Sequence, residues 1–370
     1  MKLLFLITDL RHGGAEKVLV NLVNNLNPQK YDISVQTIFD TGIHRQNIMP
    51  HVHYLPGFKW QFPGNSHLLK RIPASMLYSF MIRDNYDVII SYLEGIPARV
   101  VSGCRHPSVK KVTWIHTGFE NAQMFSMGFG SFERALKAYQ SFDRIVCVSE
   151  AVQARMEEVA SVQFKNSMVL YNTNETDKIL QLSHEKVDDV VFSHDTINIC
   201  SVGKIDKNKG FDRLARIHRR LVKEGFKTHF YILGVGEQQK SIEEYLKQEG
   251  LEQTFTFLGF RDNPYKYVAA CDLYVCSSYR EGFSTAVTEA LVVGTPVVST
   301  ECSGAHELLG KKDEYGLVVE NSEEGIYVGI KKLLEDRPLL EHYASMAKRR
   351  GMFFNKENTI KAVEEMLDSL

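Results

Sequence analysis

One recurring unit limits the fold more than any other feature of the chain. A short apolar run without alternation is followed by a polar or glycine-rich loop, and then by a helical pattern. Leu3 to Ile7 opens the series, and Val18, Leu19, Leu22, Val23 and Leu26 form one face of the helix after it, with Pro28 beyond its end. A strand that is apolar on both sides must be covered on both sides, as in a parallel sheet between helix layers. Comparable strand patterns lie at 31–39, 51–55, 87–91, 109–115, 143–148 and 167–170. They resume at 196–202, 228–233, 255–258, 272–276, 297–298 and 316–319. Strand and helix alternating from end to end predict a doubly wound α/β fold. A chain of 370 residues is long enough for two such domains, each with its own core. The polar stretch 174–195, with Asp188-Asp189 and no strong period, is placed as the linker. The expected division is 1–175, 190–350 and a last helix at 351–370.

Charge and cysteine usage narrow the class. Net charge is −1, which gives no reason to expect nucleic acid as a partner. Residues 1–175 hold 18 Lys and Arg against 14 Asp and Glu, and the remainder hold 26 against 31. The basic bias of the first half suits an anionic surface or acceptor. The six cysteines form no CxxC pair and four sit in apolar strand patterns, so reduced, buried thiols in a cytoplasmic protein are expected. MKLLFLITDL reads as a first strand rather than a signal peptide. No apolar run approaches the roughly 20 residues that span a bilayer. Any membrane association is therefore expected to be peripheral. Cys and His lack ligand spacing and there is no DxD, so no metal is expected.

The chemistry gathers in loops that follow strands. In Arg280 to Thr300, REGFSTAVTEALVVGTPVVST, Glu281 falls in a strand-to-helix loop and Glu289 on the helix that follows. Gly282, Phe283, Ser284 and Thr285 make the junction, where unpaired N–H groups offer a seat for phosphate. At 1.5 Å rise per residue the two carboxylates should lie roughly 8–12 Å apart, too far to share a proton. That spacing suits two hydroxyl-bearing rings joined by a diphosphate. A surface carboxylate and a helix-face carboxylate without ligand fit the same letters. Upstream, Lys204 and Lys209 flank the loop GKIDKNKG, where two ammonium groups can neutralise a diphosphate; solvated loop charges are the plainer alternative. Gly259, Phe260 and Arg261 form a loop able to offer backbone groups to a nucleobase.

In the first half, Gly13 and Gly14 let the backbone approach a ligand and leave N–H groups for phosphate, though a tight turn explains them too. His116 falls just past a strand's C-terminal end, the edge where open α/β sheets bind ligands; a loop histidine bonded to nearby backbone is the alternative. Tyr92-Leu93-Glu94-Gly95 is a second such loop. Residues 58–83 mix Phe58, Trp60, Phe62, Leu68, Leu69, Tyr78 and Phe80 with Lys59, Lys70, Arg71 and Arg83. That mixture suits a lipid–water interface. A buried stripe of Ile72, Met76, Leu77 and Met81 fits equally.

Together these loops resemble the retaining glycosyltransferases of family four, which have the glycosyltransferase-B fold. The resemblance rests on GGAE at 13–16, IHTGF around His116, VSE at 148–150, VGKIDKNKG at 202–210, ACDLYVCSSYREGFSTAVTEAL at 270–291 and GTPVVST at 294–300. It implies two Rossmann-like domains facing across a cleft, with the last helix crossing back to the first. Carried over, Glu281 contacts the transferred sugar, Glu289 the ribose, and Lys204 and Lys209 the diphosphate. Gly13 and Gly14 approach the phosphates, His116 meets the sugar, and the 259–261 loop takes the base. The family more often has Arg at the place of Lys204, and a lysine supplies charge without a planar fork. The implied reaction retains anomeric configuration, needs no metal or other cofactor, and uses a nucleotide sugar as substrate. A UDP-sugar is the expected donor, with a guanosine nucleotide as the alternative. The acceptor is expected to be a saccharide on polyprenyl diphosphate at the inner membrane face, in polysaccharide or glycolipid synthesis. Two rival readings are a non-catalytic nucleotide-sugar-binding subunit and, through Gly234-Val235-Gly236, an NAD-dependent dehydrogenase.

Overall fold

Leu3, Leu4, Phe5, Leu6 and Ile7 are all fully buried, so β1 (Lys2–Ile7) must lie inside a sheet with cover on both faces. The computed structural model describes residues 1–11, 13–59, 69–193 and 195–370, and places β1 centrally. Its Leu3 pairs with Ile33 on one side and Val88 on the other, both in parallel. The chain divides into two units, Met1–Asn174 with Lys356–Leu370, and Glu175–Asn355.

The first unit is built on β1, β2 (Asp32–Thr37), β3 (Val52–Leu55), β4 (Val88–Ser91), β5 (Lys110–Ile115), β6 (Arg144–Cys147) and β7 (Ser167–Val169). Their order is β3-β2-β1-β4-β5-β6-β7, parallel throughout. The order reverses between β1 and β4, and such a switch point opens a crevice at the strands' C-terminal ends. The helix Lys356–Asp368 belongs to this unit: Glu364 accepts from the Asn27 N–H at 3.0 Å and Asp368 from the Tyr31 hydroxyl at 3.1 Å.

The second unit repeats the plan with β8 (Ile197–Val202), β9 (Thr228–Leu233), β10 (Phe255–Gly259), β11 (Leu273–Cys276), β12 (Val297–Thr300) and β13 (Leu317–Val319). The order β10-β9-β8-β11-β12-β13 reverses between β8 and β11. Helix Phe211–Lys223 buries Leu214, Ile217 and Leu221 at three- and four-residue intervals against Phe230, Ile232 and Phe255. Burying each such side chain contributes about 1.5–3 kcal/mol.

Two expectations need correction. The stretch placed as a linker contains the helix Thr176–Ser183, which belongs to the second unit. Its Ile179 is buried with Tyr265 and Val292, and Leu180 and Leu182 of the same helix pack against that cluster. In residues 58–83 the expected buried stripe is only partly formed on helix Ala74–Met81, because Met76 faces out. Leu77, Tyr78 and Met81 face inward, whereas Met76 is 61% exposed and Phe80 58%. Trp60, Phe62 and Leu68 of that segment, and His12 of the first loop, lie outside the described residues. Among the described residues no helix is long and apolar enough to cross a membrane.

Candidate functional site

In the second unit the switch point sets adjacent strands β8 and β11 side by side, so the loops leaving their C-terminal ends meet. Asp206 caps the single 3-10 turn Lys207–Lys209, its Oδ1 accepting from the N–H of Asn208 at 3.1 Å and of Lys209 at 3.3 Å. The Lys209 stem runs over Gly203, where a Cβ would come within 3.1 Å of Lys209 Cε. Its Nζ reaches Glu281 Oε1 at 2.5 Å, and the same oxygen accepts from Ser278 Oγ at 2.6 Å. The Lys209 side chain is 24% exposed and that of Glu281 16%. Burial works against the Lys209 ammonium, but the Glu281 carboxylate and neighbouring groups outweigh it and raise its pKa. The site therefore presents a fixed ammonium–carboxylate pair with one open side.

Lys204 stands apart from this pair. Its side chain is 67% exposed and its Nζ lies 3.9 Å from Asp206. The cation is open to solvent and is not preorganised.

Beyond Glu281 the chain passes buried Gly282 and Phe283 into the helix Thr285–Val293. Ser284 is its N-cap, with Oγ accepting from Val287 N–H and the carbonyl from Thr288 N–H. That leaves the N–H groups of Thr285 and Ala286 at the open end of the turn. Glu289 is the single charged residue of this helix and is 7% exposed. A carboxylate this deeply buried is not explained by solubility.

The loop after β10 offers less than its sequence suggests. The Gly259 carbonyl accepts from Gly234 N–H at 2.8 Å, and Phe260 is 47% exposed. Arg261 is engaged elsewhere: its Nη2 pairs with Asp189 at 2.9 Å and its guanidinium lies 5.5 Å from the Tyr267 ring.

In the first unit the loops after β1, β4 and β5 carry the expected residues. Gly13 is the N-cap of helix Gly14–Asn25. Its N–H, expected to remain for phosphate, donates to Arg11 O at 2.9 Å. A Cβ on Gly13 would fall 1.8 Å from Glu16 Oε2, so the missing side chain makes room for the Glu16 carboxylate at the helix's positive end. Burial raises the Glu16 pKa, with its own N–H opposing. His116 follows β5 and its ring lies 4.9 Å from that of Tyr92. Its backbone N–H donates to Glu94 Oε2 at 3.1 Å, and its Nε2 is buried with no partner among the described residues. Burial pushes the ring's pKa down to about 3, so it is a neutral imidazole. Burial also raises the Glu94 pKa, against the His116 N–H.

Ser278, Asp206, Glu94 and Glu16 all shape the two loop clusters, although the sequence reading gives none of them a role. All four sit within the motifs quoted above, Asp206 in VGKIDKNKG and Ser278 in ACDLYVCSSYREGFSTAVTEAL, but no local spacing shows which partner each one meets. The Gly234-Val235-Gly236 run has a packing cause. A Cβ on Gly234 would sit 1.9 Å from Gly203 O, and one on Gly236 2.2 Å from Ile205 O. These glycines let two loops touch, which removes the basis for a dinucleotide fingerprint.

Known proteins share this organisation. The model of glycosyltransferase family 4 matches residues 12–178, and that of glycosyl transferases group 1 matches residues 184–350. The N-acetylgalactosamine-N,N'-diacetylbacillosaminyl-diphospho-undecaprenol 4-alpha-N-acetylgalactosaminyltransferase of Campylobacter jejuni is 30% identical over 374 residues, 96% of each chain. The lipopolysaccharide core biosynthesis glycosyltransferase LpsE of Rhizobium meliloti is 26% identical over 57% of this chain and 59% of its own. Among solved structures, Anabaena HepE in complex with UDP matches with TM-score 0.77 at 20% identity over 100% of both chains. Sucrose-phosphate synthase of Thermosynechococcus elongatus matches with TM-score 0.79 at 17% identity, covering 100% of this chain and 99% of its own.

Proposed function

The chain belongs to the group 1 glycosyltransferases of family four, with their glycosyltransferase-B fold, and we propose that it is a retaining enzyme acting on a UDP-sugar and a lipid-linked saccharide. It is a glycosyltransferase that uses a nucleotide sugar. The sugar is a hexose or N-acetylhexosamine. The observation that carries the proposal is the Lys209–Glu281 pair at the β8/β11 switch point, beside the open turn at Thr285.

In this reading Lys209 holds the diphosphate, with Lys204 closing on it from solvent. Glu281 bonds the transferred sugar and Glu289 the ribose. Gly282, Phe283, Ser284 and Thr285 seat the phosphate through the helix N-terminus. The base lies on the Gly259–Phe260 backbone, with Arg261 held aside by Asp189. Within the first unit, Gly14 and the neutral His116 Nε2 are the candidate groups for phosphate and for a sugar hydroxyl. The C1–oxygen bond to the diphosphate breaks as the acceptor oxygen bonds C1 from the same face. The acceptor's proton passes to the departing phosphate oxygen. The developing charge is met by two ammonium groups and backbone N–H groups, with no bound metal, in a preorganised site.

A lipid-linked acceptor is supported by the Campylobacter jejuni relative, whose name specifies an undecaprenyl diphosphate substrate. Phe58, Met76 and Phe80 are exposed beside exposed Lys59, Arg71 and Arg83, and the Phe58 and Phe80 rings stack at 6.1 Å. This basic-aromatic surface fits peripheral contact with an anionic cytoplasmic leaflet in polysaccharide or glycolipid synthesis. Co-sedimentation with anionic liposomes at low salt checks it, and failure to sediment refutes it.

A thermal-shift panel of nucleotide sugars tests the donor. At 100 times its Kd a true donor adds about 2.7 kcal/mol to stability. Release of nucleoside diphosphate separates turnover from a non-catalytic subunit. The anomeric configuration of the product, read by NMR, tests retention, and activity in excess chelator tests metal independence.

A further inference from the structure

We infer that Arg213 is a positioning residue of the donor site, holding the loop that carries Glu281 in register with Lys209. The inference rests on the reading of those two loops as the nucleotide-sugar site. Arg213 lies in the first turn of helix Phe211–Lys223 and is 2% exposed. Among the described residues no carboxylate pairs with it, and its Nε is buried without a partner. Burying a guanidinium without a counter-charge is costly, and an apolar side chain of similar size would pack there at lower cost. Packing alone therefore does not explain an arginine at this position.

Its contacts do. One Nη donates to Asn321 Oδ1 at 2.9 Å and the other donates to the carbonyl of Ser277. The flat face lies over the Tyr279 ring, with Cζ 3.7 Å from the centroid. Ser277 follows β11, Tyr279 lies two residues short of Glu281, and Asn321 follows β13. Asn321 Nδ2 returns to Tyr279 O at 2.9 Å, closing a clamp around the loop. The clamped loop is joined to the lysine loop through Ser277 Oγ to Lys209 O at 2.7 Å and Tyr279 N–H to Asn208 O at 2.7 Å. Gly210 opens the path for the guanidinium: it has φ +64, and a Cβ there would lie 2.5 Å from Ser277 O and 2.8 Å from Arg213 Nε. A planar fork with donors at fixed angles holds two segments and stacks on a third, which an ammonium cannot do.

The clamp acts on residues 277–281 and so on the sugar end of the donor. The Lys209 ammonium and the helix N-terminus at Thr285 lie outside it. Loss of Arg213 should therefore lower kcat and leave nucleoside diphosphate binding in place. Three variants test this: Arg213→Met, Arg213→Lys and Asn321→Ala. Each is assayed for turnover of the donor found in the nucleotide-sugar panel and for Kd of the matching nucleoside diphosphate by calorimetry. R213M should lower kcat about 30- to 100-fold, the scale at which a small misplacement of a reacting group acts. R213K should lose less than R213M. N321A, which removes only the outer half of the clamp, should lose about 3- to 10-fold. Nucleoside diphosphate Kd should stay within about threefold of wild type in all three. Wild-type kcat in R213M, or a Kd that weakens in step with kcat, overturns the assignment. If R213M does not fold, N321A decides alone, and wild-type kcat in it overturns the assignment. A wild-type enzyme that binds and turns over no nucleotide sugar would instead refute the reading of the site, with no variant involved.

Discussion

Replacing Glu281 by Gln keeps the shape of the side chain and removes its charge, so it isolates what the Lys209–Glu281 pair does. In the wild type Nζ and Oε1 are 2.5 Å apart, and the two side chains are 24% and 16% exposed. At an effective dielectric near 20 the gross attraction is about 4 kcal/mol or more. Desolvation and the remaining solvent screening leave a net stability loss of about 1–3 kcal/mol when one partner is neutralised. Denaturant unfolding should show that loss. Lys209, released from its carboxylate, is then free to bind phosphate more strongly. The Kd of nucleoside diphosphate should stay unchanged or tighten, while kcat for sugar transfer falls about 10²- to 10³-fold through the lost contact to the transferred sugar. Coupled detection of released nucleoside diphosphate measures kcat, and calorimetry measures Kd. Wild-type kcat in E281Q refutes the assignment of Glu281 to the reaction. A weakened Kd matching the fall in kcat would move Glu281 from the sugar to the nucleotide.

Three further outcomes are expected. Lys204→Ala should raise the donor KM about tenfold with melting temperature unchanged, because this cation sits in solvent until an anion arrives; unaltered KM removes Lys204 from the diphosphate. His116→Ala should lower transfer about tenfold or more, and because burial holds the ring's pKa at about 3, the wild-type rate should show no histidine limb from it between pH 5 and 8. Ring 15N shifts showing protonated His116 at pH 6 contradict this. His218, fully buried between the hydroxyls of Thr228 and Thr254, has its pKa pushed down to about 4 by burial, with a smaller effect from His229. The unfolded state takes up this proton near pH 6.5 and the native state does not, so its share of stability is complete above 6.5 and lost as pH falls towards 4. That share is about 3 kcal/mol. The difference in unfolding free energy between pH 7.5 and pH 5 should shrink in His218→Gln, and an unchanged difference refutes the claim.

The parallel architecture was legible in the letters because its cause is local. Leu3 to Ile7 and the runs like it have no polar face to turn to water, and each is followed by a helical period. Two Rossmann-like units follow from that pattern and the chain length. The lysine loop and the glutamate stretch were legible as strand-to-helix loops with charges at fixed offsets. Helix Thr176–Ser183 was not, because Ile179, Leu180 and Leu182 pack with Tyr265 and Val292 from far along the chain.

Which charges meet was decided in three dimensions. Lys209 and Glu281 are 72 residues apart in sequence and touch only because β8 and β11 are neighbours at the switch point. Lys204 has the same charge and lies five positions away, yet its side chain is 67% exposed and its Nζ lies 3.9 Å from Asp206 of its own loop. The letters give no partner for the Arg261 guanidinium, and the fold hands it to Asp189. Gly13 reads as a phosphate contact until its N–H turns to Arg11. The Gly-Val-Gly run reads as a nucleotide fingerprint until Gly203 and Ile205 are found against it. Strand and helix type depend on periods a few residues long, which the sequence carries within itself. A side chain's partner depends on which strands lie side by side, and strand order is a long-range choice that no local period encodes.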